Sequence, residues 1–212
     1  MATPRAELLT KLAEKSFRLG SFTLSSGAAS DYYVDCRTTT LDAEGARLTG
    51  RLFLDEIRLR GWRAAAIGGL TLGADPIVVA VAILSAQQLQ RRGSERGPKP
   101  DAAGGVIEGF LVRKQEKSHG TGQRIEGFRR QGAPVIIVDD VCTTGGSTIE
   151  AIHAAREFGF EVIAVMCLVE REEAGGRAAI EKVVAPAPFV ALFKAGEVRE
   201  EHLRQQAMRA EL

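Results

Sequence analysis

The chain has 212 residues, of which 45% are hydrophobic, 26% charged and 6% aromatic. That is enough apolar material for a sizeable core, which excludes a disordered polyelectrolyte and predicts one domain spanning 1–212. Lys+Arg 28 against Asp+Glu 27 leaves a net charge of +1, so there is no global field for nucleic acid or an anionic membrane, and neither is expected as a partner.

Met1–Glu7 carries an acid early and has no apolar stretch, so it is not read as a secretory signal. Leu8, Leu9, Leu12, Phe17 and Leu19 recur at roughly helical spacing and predict an amphipathic helix over 5–19, stopped by Gly20. Phe22-Thr23-Leu24 and Tyr32-Tyr33-Val34-Asp35-Cys36, separated by Ser25-Ser26-Gly27, predict two short strands and a turn. A long helix is predicted over 42–60, with Leu48, Leu52, Phe53, Ile57 and Leu59 apolar. Ala64–Ile67 reads as a strand entering the turn Gly68-Gly69, and 74–90 as a helix whose apolar run, Pro76–Leu84, is too short to span a bilayer. Arg91–Gly105 is polar and reads as an exposed loop. Strands are predicted at Gly109–Val112, Val135–Val138 and Val162–Val169, and helices at Thr148–Phe158 and 197–210. Helices alternating with continuous apolar strands predict an α/β fold with a mostly parallel central sheet covered on both faces. Cys36, Cys142 and Cys167 are far apart and form no CxxC, so neither a disulfide framework nor a zinc site is expected, and a reducing cytoplasm is the simplest home. His153 and His202, on predicted helices, read as surface residues.

The most informative stretch is Val135-Ile136-Ile137-Val138-Asp139-Asp140-Val141-Cys142-Thr143-Thr144-Gly145-Gly146-Ser147. A buried strand ends in two carboxylates, followed by a loop of small and hydroxyl residues and then a helix. In open α/β sheets, ligands bind beyond the carboxyl ends of the strands, where loop amides and a helix start favour an anion. No GxxxxGK[ST] occurs, so this is not a P-loop. Adjacent carboxylates repel phosphate but accept from sugar hydroxyls or bind a divalent cation. The combination therefore reads as a ribose 5′-phosphate site: acids for the hydroxyls, loop amides for the phosphate. The plainer alternative is an acidic strand end with a solvated turn.

This 13-residue stretch resembles the signature of the type I phosphoribosyltransferases, with Cys142 where a larger aliphatic residue is usual. The resemblance implies that Asp139 and Asp140 contact the ribose hydroxyls of phosphoribosyl pyrophosphate (PRPP). It also implies that Val141, Cys142, Thr143, Thr144, Gly145, Gly146 and Ser147 form the cradle of its 5′-phosphate. It further implies the family's fold, with a small N-terminal hood formed by about residues 1–40 plus C-terminal elements.

Residues 113–130 hold six Lys or Arg against two acids, together with His119 and glycines at 120, 122 and 127. Composition alone suits a solvated surface loop as well as a mobile cationic lid over a leaving pyrophosphate. The order Arg113-Lys114-x-x-Lys117-x-His119-Gly120 resembles the catalytic loop of orotate phosphoribosyltransferases. In them, the positions matching Arg113, Lys114, Lys117 and His119 contact the pyrophosphate of PRPP, and the loop reaches the neighbouring subunit. The resemblance thus implies a homodimer whose loop 113–126 is shared between subunits, with Lys117, His119, Asp139 and Asp140 as the catalytic set. Phe22–Gly27 with Tyr32–Asp35 resembles the same enzymes' hood, and implies that Tyr33, Val34, Thr143 and Arg171 contact orotate. Arg171 would pair with its carboxylate. Gly68–Pro76 resembles their pyrophosphate loop. Some members carry lysines where this chain has Ser25 and Leu72.

The resemblance implies transfer of the 5-phosphoribosyl group from PRPP to orotate, giving orotidine 5′-monophosphate and pyrophosphate, in pyrimidine (UMP) biosynthesis. Mg2+ is the implied cofactor, held mainly by PRPP and water, with no protein metal ligands expected. Two other readings stay open: a purine-base phosphoribosyltransferase, and a PRPP-sensing regulator, which would call for a DNA-binding segment the sequence does not display.

Overall fold

A computed structural model describes residues 2–23, 27, 29–93, 105–114 and 124–211. The chain opens with α1 (Pro4–Lys11), started by the Thr3 side chain accepting from the Ala6 N–H at 3.2 Å. A single π turn, Leu12–Ser16, follows, and the chain then extends as β1 (Phe17–Thr23). This corrects the helix expected to run to residue 19. Phe17 and Leu19 fit a helical period, but β1 pairs antiparallel with β2 (Ala29–Val34), Phe17 opposite Val34 and Leu19 opposite Tyr32. The register slips between Leu19 and Phe22, so Gly20 lies inside an irregular strand instead of ending a helix. Phe17 is fully buried, stacked on Tyr32 at 5.2 Å and set against the His202 ring at 5.1 Å.

A short α2 (Arg37–Thr40) leads to α3 (Ala43–Leu59), whose first turn is capped by Asp42 accepting from the Gly45 N–H at 2.9 Å. Then come β3 (Ala66–Leu70), α4 (Asp75–Gly93), β4 (Glu108–Val112), β5 (Ile125–Gly127), β6 (Pro134–Cys142) and α5 (Gly146–Phe158). The chain closes with β7 (Glu161–Glu170), α6 (Gly176–Val184), β8 (Phe189–Lys194) and α7 (Ala195–Ala210). The central sheet has the order β5-β4-β3-β6-β7-β8; only the β4–β5 pair is antiparallel. The mostly parallel α/β sheet is thus as expected.

Alternate residues of β6 serve two cores. Ile136 and Val138 pack with Phe53 of α3 and Ile77 of α4, while Val135 and Ile137 pack with Ile152 of α5 and Ile180 of α6. A strand apolar on both faces is what a sheet covered by helices on both sides requires. Among the described residues, no helix is long and apolar enough to cross a membrane. His153 is exposed, as expected, and His202 is half-buried, its Nδ1 2.7 Å from the Ala13 carbonyl.

Candidate active site

The chain leaves β3 for α4 on one face of the sheet and leaves the adjacent β6 for α5 on the other. Helices diverging from neighbouring strands open a crevice at their carboxyl ends. A cavity of about 800 Å³ lies there, within the size range of small-molecule sites. Asp139, Asp140, Val141 and Ser147 line it, with Leu72 and Gly73 from the loop after β3 and Tyr33, Val34 and Arg37 from the hood side.

The acid pair is not at a free strand end. β6 runs on to Cys142, still paired with β7, and carries both carboxylates within it. The two are unequal. Asp139 is buried, one oxygen accepting from the Asp140 N–H at 3.0 Å and the other from the Thr148 hydroxyl at 2.8 Å. Asp140 is half-buried, and its Oδ1 accepts from the Val141 N–H at 2.9 Å. Burial, reinforced by the charge of Asp140, holds Asp139 above the usual carboxylate range; burial also raises Asp140, opposed in part by the Val141 N–H and the nearby Arg37. Gly73 leaves the space in front of the pair open. A Cβ there would fall 2.4 Å from Asp140 Oδ1 and 3.3 Å from Asp139 Oδ1.

Beyond Cys142 the chain turns through Gly145, whose φ of 80° lies in the left-handed region that favours glycine. Helix α5 then begins with no side-chain cap. Its first amides are thus left to a ligand or water, and the helix dipole favours an anion there. Thr144, Gly146 and Ser147 are exposed around this start. The Cys142 side chain is buried in the core between β6 and α5, and the Cys142 carbonyl accepts from the Arg171 N–H at 2.8 Å.

Arg113 and Lys114 line the first cavity. Lys117 and His119 lie outside the described residues. The base of their loop is held by Arg124, which donates to the Arg113 carbonyl at 3.1 and 3.2 Å and pairs with Glu150.

A second cavity, of about 1100 Å³, adjoins the start of the cradle, with Thr143 and Thr144 in its wall. Arg171 lines it and is 4% exposed, far from the surface charge its acidic neighbours suggest. Its guanidinium lies 4.2 Å from the centre of the Tyr32 ring, with Ser30 and Glu173 as hydrogen-bond partners. Tyr33 and Val34 line the first cavity instead, so strand alternation brings Tyr32 to Arg171 and takes Tyr33 away.

Residues 106–187 match the phosphoribosyl transferase domain. An orotate phosphoribosyltransferase of Thermosynechococcus vestitus is 43% identical over 179 residues, covering 84% of this chain and 85% of that protein. The chain belongs to the orotate phosphoribosyltransferase family. Another orotate phosphoribosyltransferase, from Aquifex aeolicus, is 39% identical over 92% of this chain and 97% of its own. The crystal structure of the Mycobacterium tuberculosis orotate phosphoribosyltransferase with Fe(III) dicitrate matches at a TM-score of 0.72 and 34% identity, over 92% of this chain and 99% of that one. The same enzyme in complex with PRPP matches at 0.69 and 32%, with equal coverage. The fold is therefore the type I phosphoribosyltransferase fold.

Several residues in the orotate phosphoribosyltransferase site were not expected from sequence. Tyr32 and Ser30 sit in the same strand as the expected Tyr33, one step and three steps away, and only the direction of the pleat separates them. Arg37 follows that strand and is locked to Asp35 by bonds of 2.8 and 2.9 Å. A basic residue two positions after the aromatic-aliphatic-acid run Tyr33-Val34-Asp35 was its only signal. Among the described residues, no group of three His, Cys, Asp or Glu could hold a metal ion.

Proposed function

We propose that the protein transfers the 5-phosphoribosyl group of PRPP to orotate, releasing pyrophosphate and forming orotidine 5′-monophosphate. The observation that carries this reading is the adjacency of two cavities along one loop. The acid pair and the uncapped helix start flank one, and a buried arginine faces the other, with Thr143 and Thr144 between.

In this reading the ribose of PRPP lies against Asp140. Cleavage of its C1–O bond leaves positive charge on the sugar ring, which a facing carboxylate stabilises. Asp139 holds the Asp140 backbone and ties it to Thr148 of α5. The amides of Thr143 to Ser147 anchor the 5′-phosphate. Arg113 and Lys114, with Lys117 and His119, neutralise the departing pyrophosphate. Arg37, in the wall of the same cavity, adds a fixed positive charge. Arg171 takes the carboxylate of orotate, a geometry its planar fork suits. Orotate arrives as an anion, so no strong general base is required.

Mg2+ fits this donor set. Gly73 leaves room before Asp140, and Asp75 Oδ1, in the same cavity wall, is buried without a hydrogen-bond partner among the described residues. Asp140 would hold the ion together with PRPP oxygens and water. When bound, Mg2+ neutralises charge on the pyrophosphate.

The same reading makes the protein a cytoplasmic homodimer that serves pyrimidine nucleotide synthesis as one phosphoribosyltransferase domain, with loop 113–126 completing the neighbour's site. Leu41, Leu72, Val79 and Ile83 are exposed apolar residues, and Leu41 and Leu72 share a groove beside the first cavity, which supports a partner surface there. Three buried free thiols suit a reducing compartment. The test is pyrophosphate release from PRPP and Mg2+ with orotate, uracil, hypoxanthine or adenine. Release with orotate alone is expected; a purine as the preferred acceptor would overturn the assignment.

A further inference from the structure

Arg171 carries a positive charge in a nearly closed setting, its side chain 5% exposed. A buried cation is costly unless it is paired. Two of its partners are neutral: Ser30 Oγ accepts from Nη2 at 2.9 Å, and Tyr32 Oη accepts from Nε at 3.1 Å. The charge is met by Glu173, whose Oε1 accepts from Nε at 3.1 Å and from Nη2 at 3.0 Å. The same oxygen also accepts from the Tyr32 hydroxyl. Glu173 differs from Arg171 in exposure: its side chain is 54% exposed, and it lines the same cavity.

The other charges of this cavity wall are balanced in the same way. Arg199 pairs with Asp31 at 2.8 Å, and Glu172 pairs with Lys194, outside the cavity lining, at 2.6 Å. An incoming anion therefore meets cations that already hold carboxylates, and it gains a charge-assisted bond only by exchange. Of these pairs, only Arg171–Glu173 joins a buried cation to an exposed acid.

We propose that Glu173 is an internal stand-in for the carboxylate of the incoming base: it pairs Arg171 when no base is bound and releases it when the base's own carboxylate arrives. This rests on the reading of Arg171 as the orotate contact. The exchange keeps the buried guanidinium paired at every stage, and the released Glu173 carboxylate passes to water, where it is well solvated. A base without a carboxylate cannot make the exchange. It must share the cavity with Glu173 or leave Arg171 unpaired. Glu173 thereby selects against neutral pyrimidines while costing orotate part of its affinity. Burial works against the charge of Glu173, but the Tyr32 hydroxyl and Arg171 outweigh it and hold the carboxyl below its ordinary range, so the stand-in is ionised at neutral pH.

The test is Glu173→Gln, with Glu173→Asp as the second variant. The amide keeps the shape but loses the charge that competes. Orotate KM and its directly titrated Kd are expected to fall about 2- to 5-fold, the worth of one partly exposed ion pair. The KM for PRPP stays within about 2-fold. In the absence of orotate, Glu173→Gln melts below the parent, and orotate raises its melting temperature more than it raises the parent's. Glu173→Asp, with a shorter reach, moves orotate affinity in the same direction by less, and it carries the test if the amide variant does not fold. An orotate KM that rises or stays unchanged overturns the proposal, because a Glu173 that merely braces the site would weaken orotate when altered. If the parent enzyme itself fails to use orotate, it is the assignment of the base that falls; if the parent uses orotate and the variants bind it no tighter, only the stand-in falls.

Discussion

Asp139 and Asp140 are neighbours in sequence and opposites in the fold. Both line the cavity, but Asp139 is buried and held by the Thr148 hydroxyl and a main-chain amide, whereas Asp140 is half-buried. That an acid pair stands at this place, in the wall of a cavity, was legible in the sequence. The division of labour was not, because it depends on Thr148 nine residues on and on the direction of the pleat. Burial gives Asp139 a testable signature. Its folded-state pKa lies above its unfolded value of about 3.9. The native state therefore holds the proton more tightly, and that contribution is complete below the unfolded pKa and lost as pH rises through the folded one. Asp139→Asn does not titrate at this position. Its stability relative to the parent should therefore improve as pH is raised from 5 to 8, as measured by urea unfolding at each pH. A stability difference that is constant across this range would contradict the buried, proton-retaining carboxyl.

The elements divide by what holds them. α3, β6 and β7 were legible because their apolar patterns face cores that match the local period, whereas β3 begins at Ala66 and runs on through Gly68-Gly69, which read as a turn but pair with Phe110 and Leu111 of β4. The hood was misread at β1 because Phe17 and Leu19 satisfy a helical spacing while their real partners lie across the hairpin at Val34 and Tyr32. α6 and β8 drew no expectation. Both follow the acidic cluster at 170–173, and β8 joins the sheet through pairing with β7, which no local pattern encodes. Phe17 is the element's anchor: fully buried, stacked on Tyr32, and packed against His202 of α7. Phe17→Ala should cost about 3–5 kcal/mol of stability. Because Tyr32 carries the stack with Arg171, the same change should raise orotate KM more than PRPP KM. Equal effects on both substrates would mean that the hood strand supports the whole cleft and not the base side in particular.

At the scale of the molecule, one topological fact organises the site: β3 and β6 are adjacent, and their following helices lie on opposite faces. The crevice this creates receives the acid pair and the helix start from one stretch of the chain and the basic Arg113-Lys114 segment from another. The parts were each legible as motifs, but the two-cavity arrangement was not, since it arises from how the hood folds over the sheet. If loop 113–126 completes the partner's site, two inactive variants should complement each other. A mixture of Lys117→Ala and Asp140→Asn proteins, after subunit exchange, is expected to regain about one quarter of parent activity, since half the dimers then carry one intact site. A mixture that stays inactive after demonstrated exchange would place each site within one subunit. The most direct measurement for the account as a whole is calorimetric titration of PRPP with Mg2+ into the parent and Asp140→Asn proteins. Loss of a charged acceptor facing the sugar predicts affinity about 10- to 100-fold weaker in the variant; equal affinity in the two proteins would contradict the account.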